Sequence, residues 1–208
     1  MMFMSGTHSA VHESRFSVES SVERGRSVAL IACLAEVLKR ERVPYLTLHH
    51  PPAFTAPELS ALAHIPGSRS AKVVICIADG RPLQAVVPAH YSVDLEALRQ
   101  LAHAVSLRLA REEEIARLYP EFEVGAMPPF GMMYGHLVFV ERCFVGEPEM
   151  VFNAGRHTES LCMHFADFAE IAKPTVGAFG VAPVRSQPVS KRSARPSRRP
   201  SAVDGPAS

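Results

Sequence analysis

Apolar positions recur at helical spacing over residues 20–41. Val28, Leu30, Ile31, Leu34, Val37 and Leu38 form a broad stripe, and Lys39 and Arg40 suit the C-terminal end of a helix dipole. Pro44 follows the stop. The period then shortens: Tyr45 to His49 alternate as a strand, which Pro51 and Pro52 close. Thr55 and Glu58 stand at capping-box spacing, which predicts a helix from Thr55 to about His64, ended by Pro66-Gly67. Lys72 to Ala78 is an apolar run that predicts a buried strand. Asp79-Gly80 is the strongest short hairpin signal in the chain, with Leu83 to Val87 as the return strand. Asp94 is placed to cap a helix carrying Leu95, Leu98, Leu101 and Ala102 on one face. Leu107 to Ala110 reads as a short strand, and Glu112 to Leu118 as a short helix with acids in its first turn. Strands are expected at 137–141, 150–153 and 161–165, and a helix from about Ala166 to Lys173.

Short strands thus mix with short helices, and at least one strand pair is an antiparallel hairpin. The connection from 141 to 150 is too short for a helical crossover, which argues against a purely parallel sheet. The expected architecture is a single α/β domain: a mixed, curled or barrel-like sheet with helices packed outside. Residues 1–19 show no sustained period and are expected to form a loose arm before a body at 20–174.

Charge redraws the far end of the chain. Residues 175–208 carry Arg185, Lys191, Arg192, Arg195, Arg198 and Arg199 against Asp204, with five prolines and many serines. This stretch is expected to be a disordered basic tail, a solvated appendage or a weak arm for RNA phosphates. The whole chain has a net charge of +1, so the body is left slightly acidic. It needs a local cation, not a global field, to handle a polyanion. No apolar run approaches the roughly 20 residues that span a bilayer. The N-terminus lacks a basic region followed by an apolar core, so no secretory signal is expected. Cys33, Cys76, Cys143 and Cys162 stand singly in apolar segments and are expected to be buried free thiols of a cytoplasmic protein. The histidines show no HExxH or paired Cys/His spacing, so neither a metal nor another cofactor is expected.

Candidate chemistry gathers in three stretches. Val124 to Gly135 places Gly125, Gly131 and Gly135 around the adjacent Pro128 and Pro129. Prolines fix φ and remove donors, and glycines allow close backbone approach, so a stiff loop with outward amides is expected. An ordinary tight loop would read the same way. Lys72 opens an otherwise apolar strand. It is either a lysine snorkelling to water or a cation at the mouth of a cleft, able to grip a phosphate or an oxyanion. Asn153 to Glu159 follows a strand: Gly155 permits a sharp turn, while Asn153, His157 and Thr158 offer hydrogen bonds to a ligand or simply form a polar hairpin loop.

The order of these pieces resembles one family, the YbaK/prolyl-tRNA-synthetase-associated editing domains. The matching segments are His50-Pro-Pro-Ala-Phe-Thr-Ala-Pro-Glu58, Ser70-Ala-Lys-Val-Val74, Val93-Asp-Leu-Glu-Ala-Leu98, Gly125-Ala-Met-Pro-Pro-Phe-Gly131 and Phe152-Asn-Ala-Gly155. The resemblance covers about residues 27–173. It implies hydrolysis of the ester joining a wrong amino acid to transfer RNA, with Lys72 as the key polar residue. It also implies that the loop of Gly125 and Pro129 shapes the amino-acid pocket, and it makes His157 a candidate near the substrate side chain. His50 and Phe130 fall inside the matching segments and are taken as substrate-binding candidates with Pro129, Asn153, Gly155, His157 and Thr158.

No GxSxG is present, and no Ser or Cys stands beside an evident base, so attack by water without a covalent nucleophile is expected. Amides of the loop at Gly125 and Gly131 would hold the oxyanion, and Lys72 would position the ester or a terminal phosphate. Mischarged transfer RNA carrying a small amino acid is the expected substrate, and a synthetase a possible partner. A free-standing factor is expected, with no membrane or DNA as partner. The alternative is a non-catalytic protein that binds transfer RNA or a synthetase and keeps the fold.

Overall fold

The computed structural model describes residues 32–183, apart from 56, 59, 60 and 62–64. Two sheets of unequal size organise them. The larger begins with strand β2 (Ala71–Ala78) and strand β3 (Arg81–Pro88), paired antiparallel through the Asp79-Gly80 turn. Both turn residues have positive φ, 48° and 78°, the mirror-image turn that matches strand twist. The Asp79 carboxylate also accepts from the amides of Val105 and Ser106, which fastens the approach to β5 (Leu107–Leu109) at the edge beside β2. On the other side β3 runs parallel to β6 (Leu137–Glu141), and β6 parallel to β9 (Thr175–Gly177). The order is β5-β2-β3-β6-β9.

The smaller sheet is antiparallel, with β1 (Tyr45–His49), β8 (Glu159–His164) and β7 (Glu149–Arg156) in the order β1-β8-β7. A parallel bridge between Ser70 and Val151, with the Val151 amide donating to Arg69 O at 2.8 Å, joins the two sheets at the start of β2. Strands β4 (Ser92–Val93) and β10 (Gly180–Val181) make a short antiparallel pair.

Burial explains the layering. Val86, Val140, Phe152, Leu161 and Met163 face one another between the sheets. Helix α1 (Ala32–Glu41) adds Leu34 and Leu38, and helix α4 (Phe165–Ala172) adds Phe168. The opposite face of the larger sheet presents Cys76, Leu83, Ala85, Val87 and Phe139 to Leu98 of helix α2 (Leu95–Leu101) and to Phe179. Strand β3 is therefore buried on both faces from Leu83 onward, which is why Ala85, Val86 and Val87 are apolar in succession, with Gln84 the buried polar exception. Asp94 caps α2 by accepting from the amides of Glu96 and Ala97 at 3.0 Å. Helix α3 (Glu112–Leu118) carries three acids in its first turn.

Several expectations change. The expected mixed α/β domain is present; its strands form two main sheets and do not close into a barrel, because β5 and β9 end the larger one without meeting. The body does not stop at residue 174. Residues 175–181 supply β9 and β10, and the buried Glu141 carboxylate accepts from the amides of Phe179 and Gly180 at 2.7 and 2.5 Å. Composition hid this, since the gain comes from pairing with distant strands. The expected arm at 1–19, the first turns of the helix expected at 20–41 and the chain beyond 183 lie outside the described residues. Of the four cysteines, Cys76 and Cys162 are buried, with thiols pushed up to about 12 by desolvation; Cys33 is half-buried and Cys143 is exposed. Among the described residues no helix is long and apolar enough to cross a membrane.

Candidate active site

Strand β7 carries an irregularity after Asn153, where its register against β8 shifts between Asn153 and Arg156. Gly155 makes the bend possible with φ 101°. The bend turns its amide to Ala126 O and its carbonyl to the Glu123 amide, both at 2.9 Å. The glycine-proline loop is thereby stitched to the small sheet. From the other side, Gln84 of β3 donates through Nε2 to Pro128 O at 3.3 Å, and Gly131 sits against the same glutamine side chain. Phe130 drops into the core, ring to ring with Phe152 at 5.7 Å and Phe168 at 5.8 Å. A 3-10 turn, Gly131–Tyr134, closes the loop. Behind it Tyr119 is buried, its phenol pushed up to about 12 by desolvation and bonded to His136 Nδ1 at 2.8 Å.

Between these anchors the loop shows its backbone. The Ala126 amide donates to Glu123 O and the Phe130 amide to Pro128 O. Pro128 and Pro129 have no amide proton. The amides of Gly125 and Met127 have no protein acceptor among the described residues. Both residues line a cleft of about 420 Å³, together with Ala71, Lys72 and Val73 of β2, Ala89, Asn153, Phe54, Thr55 and Pro57. Gly125 has φ 92°, a conformation that other residues adopt at a steric penalty.

Lys72 is half-buried, and desolvation draws its ammonium below the ordinary lysine value of 10.5. Among the described residues no carboxylate pairs with it. Lys72 thus lines the same cleft as two residues, Gly125 and Met127, whose amides have no acceptor among the described residues.

Asn153 is held from below. Ser160 is fully buried, with Oγ 3.2 Å from Asn153 Oδ1 and 2.8 Å from His50 Nε2. His50 Nδ1 faces Pro51 O at 2.8 Å, and a carbonyl only accepts, so Nδ1 carries a proton. Desolvation lowers the His50 pKa below 6.5, with smaller contributions of the same sign from His49 and His157. His157 binds the two lips of the cleft. Its Nδ1 stands 3.1 Å from Ala53 O and its Nε2 3.0 Å from Val124 O, while its own amide donates to Glu123 Oε2 at 2.8 Å.

The structure brings Lys72, Gly125 and Asn153 onto one cleft. His50, Gly155 and His157 stand behind its walls as supports. Pro129, Phe130 and Gly131 are buried on the core side of the loop, and Thr158 lies in the exposed turn between β7 and β8. Phe54, Met127 and Ser160 were not picked out from sequence. Phe54 and Met127 sit inside stretches already singled out, but Ser160 reads as an ordinary strand residue. Among the described residues no group of three His, Cys, Asp or Glu side chains could hold a metal.

Residues 50–171 match the family model of the aminoacyl-tRNA editing domain, more than half of the chain. The chain belongs to the aminoacyl-tRNA editing domain family. Solved structures repeat the fold. One is a hypothetical protein at 22% identity and TM-score 0.66, covering 72% of this chain and 99% of its own. Another is a candidate trans-editing enzyme for prolyl tRNA synthetase at 17% identity and TM-score 0.65, covering 76% and 100%. A candidate signal transduction protein from Marinobacter aquaeolei VT8 matches at 20% identity and TM-score 0.58, over 74% of this chain but 31% of its own length. At these identities the likeness concerns fold alone. No protein of curated function matches the chain. The editing-domain match spans the loop, Lys72 and the β7 bend together, so the family's segments are the ones that build the cleft.

Proposed function

We propose that this protein hydrolyses the ester of mischarged transfer RNA carrying a small amino acid. The observation that supports the reading is that Lys72, Gly125 and Met127 line one cleft, the latter two with amides that have no acceptor among the described residues. A tetrahedral intermediate at an ester carbonyl develops negative charge on oxygen. Preorganised amides and a poorly solvated cation stabilise it without reorganisation when the charge appears. Lys72 draws in the terminal phosphate or the ester, and the amides receive the oxyanion.

Water is the nucleophile. None of the four cysteines lines the cleft, Ser160 is buried beneath Asn153, and the Thr55 hydroxyl accepts from the Glu58 amide at 3.4 Å. Among the described residues no group in the wall is an obvious base, so the terminal hydroxyl of the transfer RNA carries the proton from the attacking water. The cleft is walled by Ala71, Val73, Ala89 and Met127, which favours short side chains. Size exclusion is the workable sieve, because a single methylene is worth only about 1–3 kcal/mol. Action in trans, on products that a synthetase has released, accords with the role given to the prolyl tRNA synthetase editing neighbour.

The test is a panel of transfer RNAs mischarged with alanine, serine, threonine or cysteine, incubated with the purified protein and with Lys72→Ala. Release of at least one small amino acid is expected, falling about 100-fold or more in the variant. Retention of every ester by the wild-type protein, with the transfer RNA bound, would make it a binder instead.

A further inference from the structure

Phe54 is 70% exposed, although it stands on the rim of the cleft. An aromatic ring in water forfeits the burial that usually justifies it, so its rigidity needs attention. Its backbone is fixed: the amides of Phe54 and Thr55 both donate to Glu58 Oε2, at 3.0 and 3.2 Å. Its ring rests on His157, centroids 4.9 Å apart and planes at 43°. His157 is itself held by Ala53 O and Val124 O. The ring is thus presented to solvent from a braced support.

The same cleft holds the Lys72 cation, and its volume of about 420 Å³ lies within the roughly 300–1,000 Å³ of sites for drug-sized ligands. A small acyl group would leave much of it unfilled. A flat group with an apolar face, joined to an anion or ester that reaches Lys72, fits both ends.

We infer that Phe54 is a stacking platform for the terminal nucleobase of an RNA 3′ end, with His157 as its brace. This rests on the function proposed above and deepens it by naming what holds the nucleoside beside the reacting ester. An exposed aromatic next to a cation is how single-stranded nucleic acid is gripped without base-edge readout. The base lies on the open face of Phe54, and the sugar then hangs over the cleft toward Lys72. Binding is indifferent to the hydrogen-bonding edge of the base but needs its π-face.

The experiment uses the full chain and a deacylated RNA hairpin whose terminal base is 2-aminopurine, a fluorophore quenched by stacking. Quenching is expected with the wild-type protein and with Phe54→Trp. Phe54→Leu keeps the apolar bulk but not the ring, and is expected to lose the quench and weaken binding about 5- to 150-fold, the stacking contribution of one base. Because Phe54 is exposed, thermal unfolding of Phe54→Leu should match wild type. Equal affinity and quench in Phe54→Leu, or equal affinity for a hairpin with an abasic terminus, would overturn the platform. Displacement of the hairpin by equimolar adenosine monophosphate would also overturn it, in favour of a free-nucleotide site. Deacylation separates this idea from the reading beneath it. If wild type and Phe54→Leu hydrolyse mischarged transfer RNA with the same KM, the platform falls and the hydrolase stands. If wild type hydrolyses nothing but the quench is found, the hydrolase falls and the platform stands.

Discussion

Lys72 and Gly125 show how one residue's environment sets its use. Desolvation by burial lowers the Lys72 pKa, so its positive charge is held against a desolvation penalty. Two pH responses of opposite sense follow. The unfolded chain binds the proton more tightly than the folded one, so between the two pKa values Lys72 makes stability rise with pH. Anion binding needs the ammonium, so affinity for deacylated transfer RNA should fall as pH rises through a midpoint below 10.5. Titrating binding and thermal stability in parallel, with Lys72→Arg as reference, checks this: the arginine variant should keep its affinity over that range. Gly125 carries a different constraint. Its φ of 92° makes Gly125→Ala strained by about 1–2 kcal/mol. The strained loop should give up activity out of proportion to that stability loss, because the role proposed for the Gly125 amide depends on this backbone conformation. A melting curve and a deacylation rate measured on the same preparation decide it. By contrast Phe130 and Gly131, conspicuous members of the same sequence stretch, face the core and Gln84. Motif membership indicated the loop; only the fold showed which of its residues line the cleft.

At the scale of elements, the site is a junction of four pieces: the start of β2, the loop at 123–131, the bend in β7 and the segment 50–58. Local chemistry made many of the elements legible. The Asp79-Gly80 turn, the Asp94 cap and the Thr55–Glu58 capping pair each satisfy backbone groups within a few residues, so they could be read from neighbours in sequence. The clasp between the bend and the loop could not, because Gly155 meets Ala126 and His157 meets both Ala53 and Val124 across long separations. His157→Ala removes both ring contacts. A neutral imidazole has one N–H to share between these two carbonyls, so at about 0.5–1.5 kcal/mol for one neutral hydrogen bond the change should lower stability by about that much and raise KM more than it lowers kcat. The His50–Ser160–Asn153 chain adds a pH dependence. Protonating His50 at Nε2 would make it donate to Ser160, and its lowered pKa means that the folded state resists this. Stability should therefore decline as pH falls below 6.5, and less steeply in His50→Gln, as chemical denaturation at several pH values would show.

On the scale of the whole molecule, the cleft depends on two sheets meeting at Ser70 and Val151, with a shared core on one side and α2 on the other. A mixed α/β arrangement was readable from short strands and short connections. Two open sheets in place of one curled sheet were not, because the choice rests on which strands pair over distance. The same holds for β9 and β10. Their sequence is short and glycine-containing, and their stabilisation comes from β6, β4 and the buried Glu141 carboxylate. Ending the chain after residue 174 should strip that carboxylate of its donors and expose the cavity of Phe179, with a loss of at least about 3 kcal/mol. The central claim is that Lys72 and the Gly125 amide act on one reacting carbonyl. Single-turnover deacylation by wild type, Lys72→Ala, Gly125→Ala and the double variant measures it directly. Groups that act as a unit are non-additive, so the double variant should be little slower than the worse single one. Losses that simply multiply, or a Lys72→Ala rate equal to wild type, would contradict it.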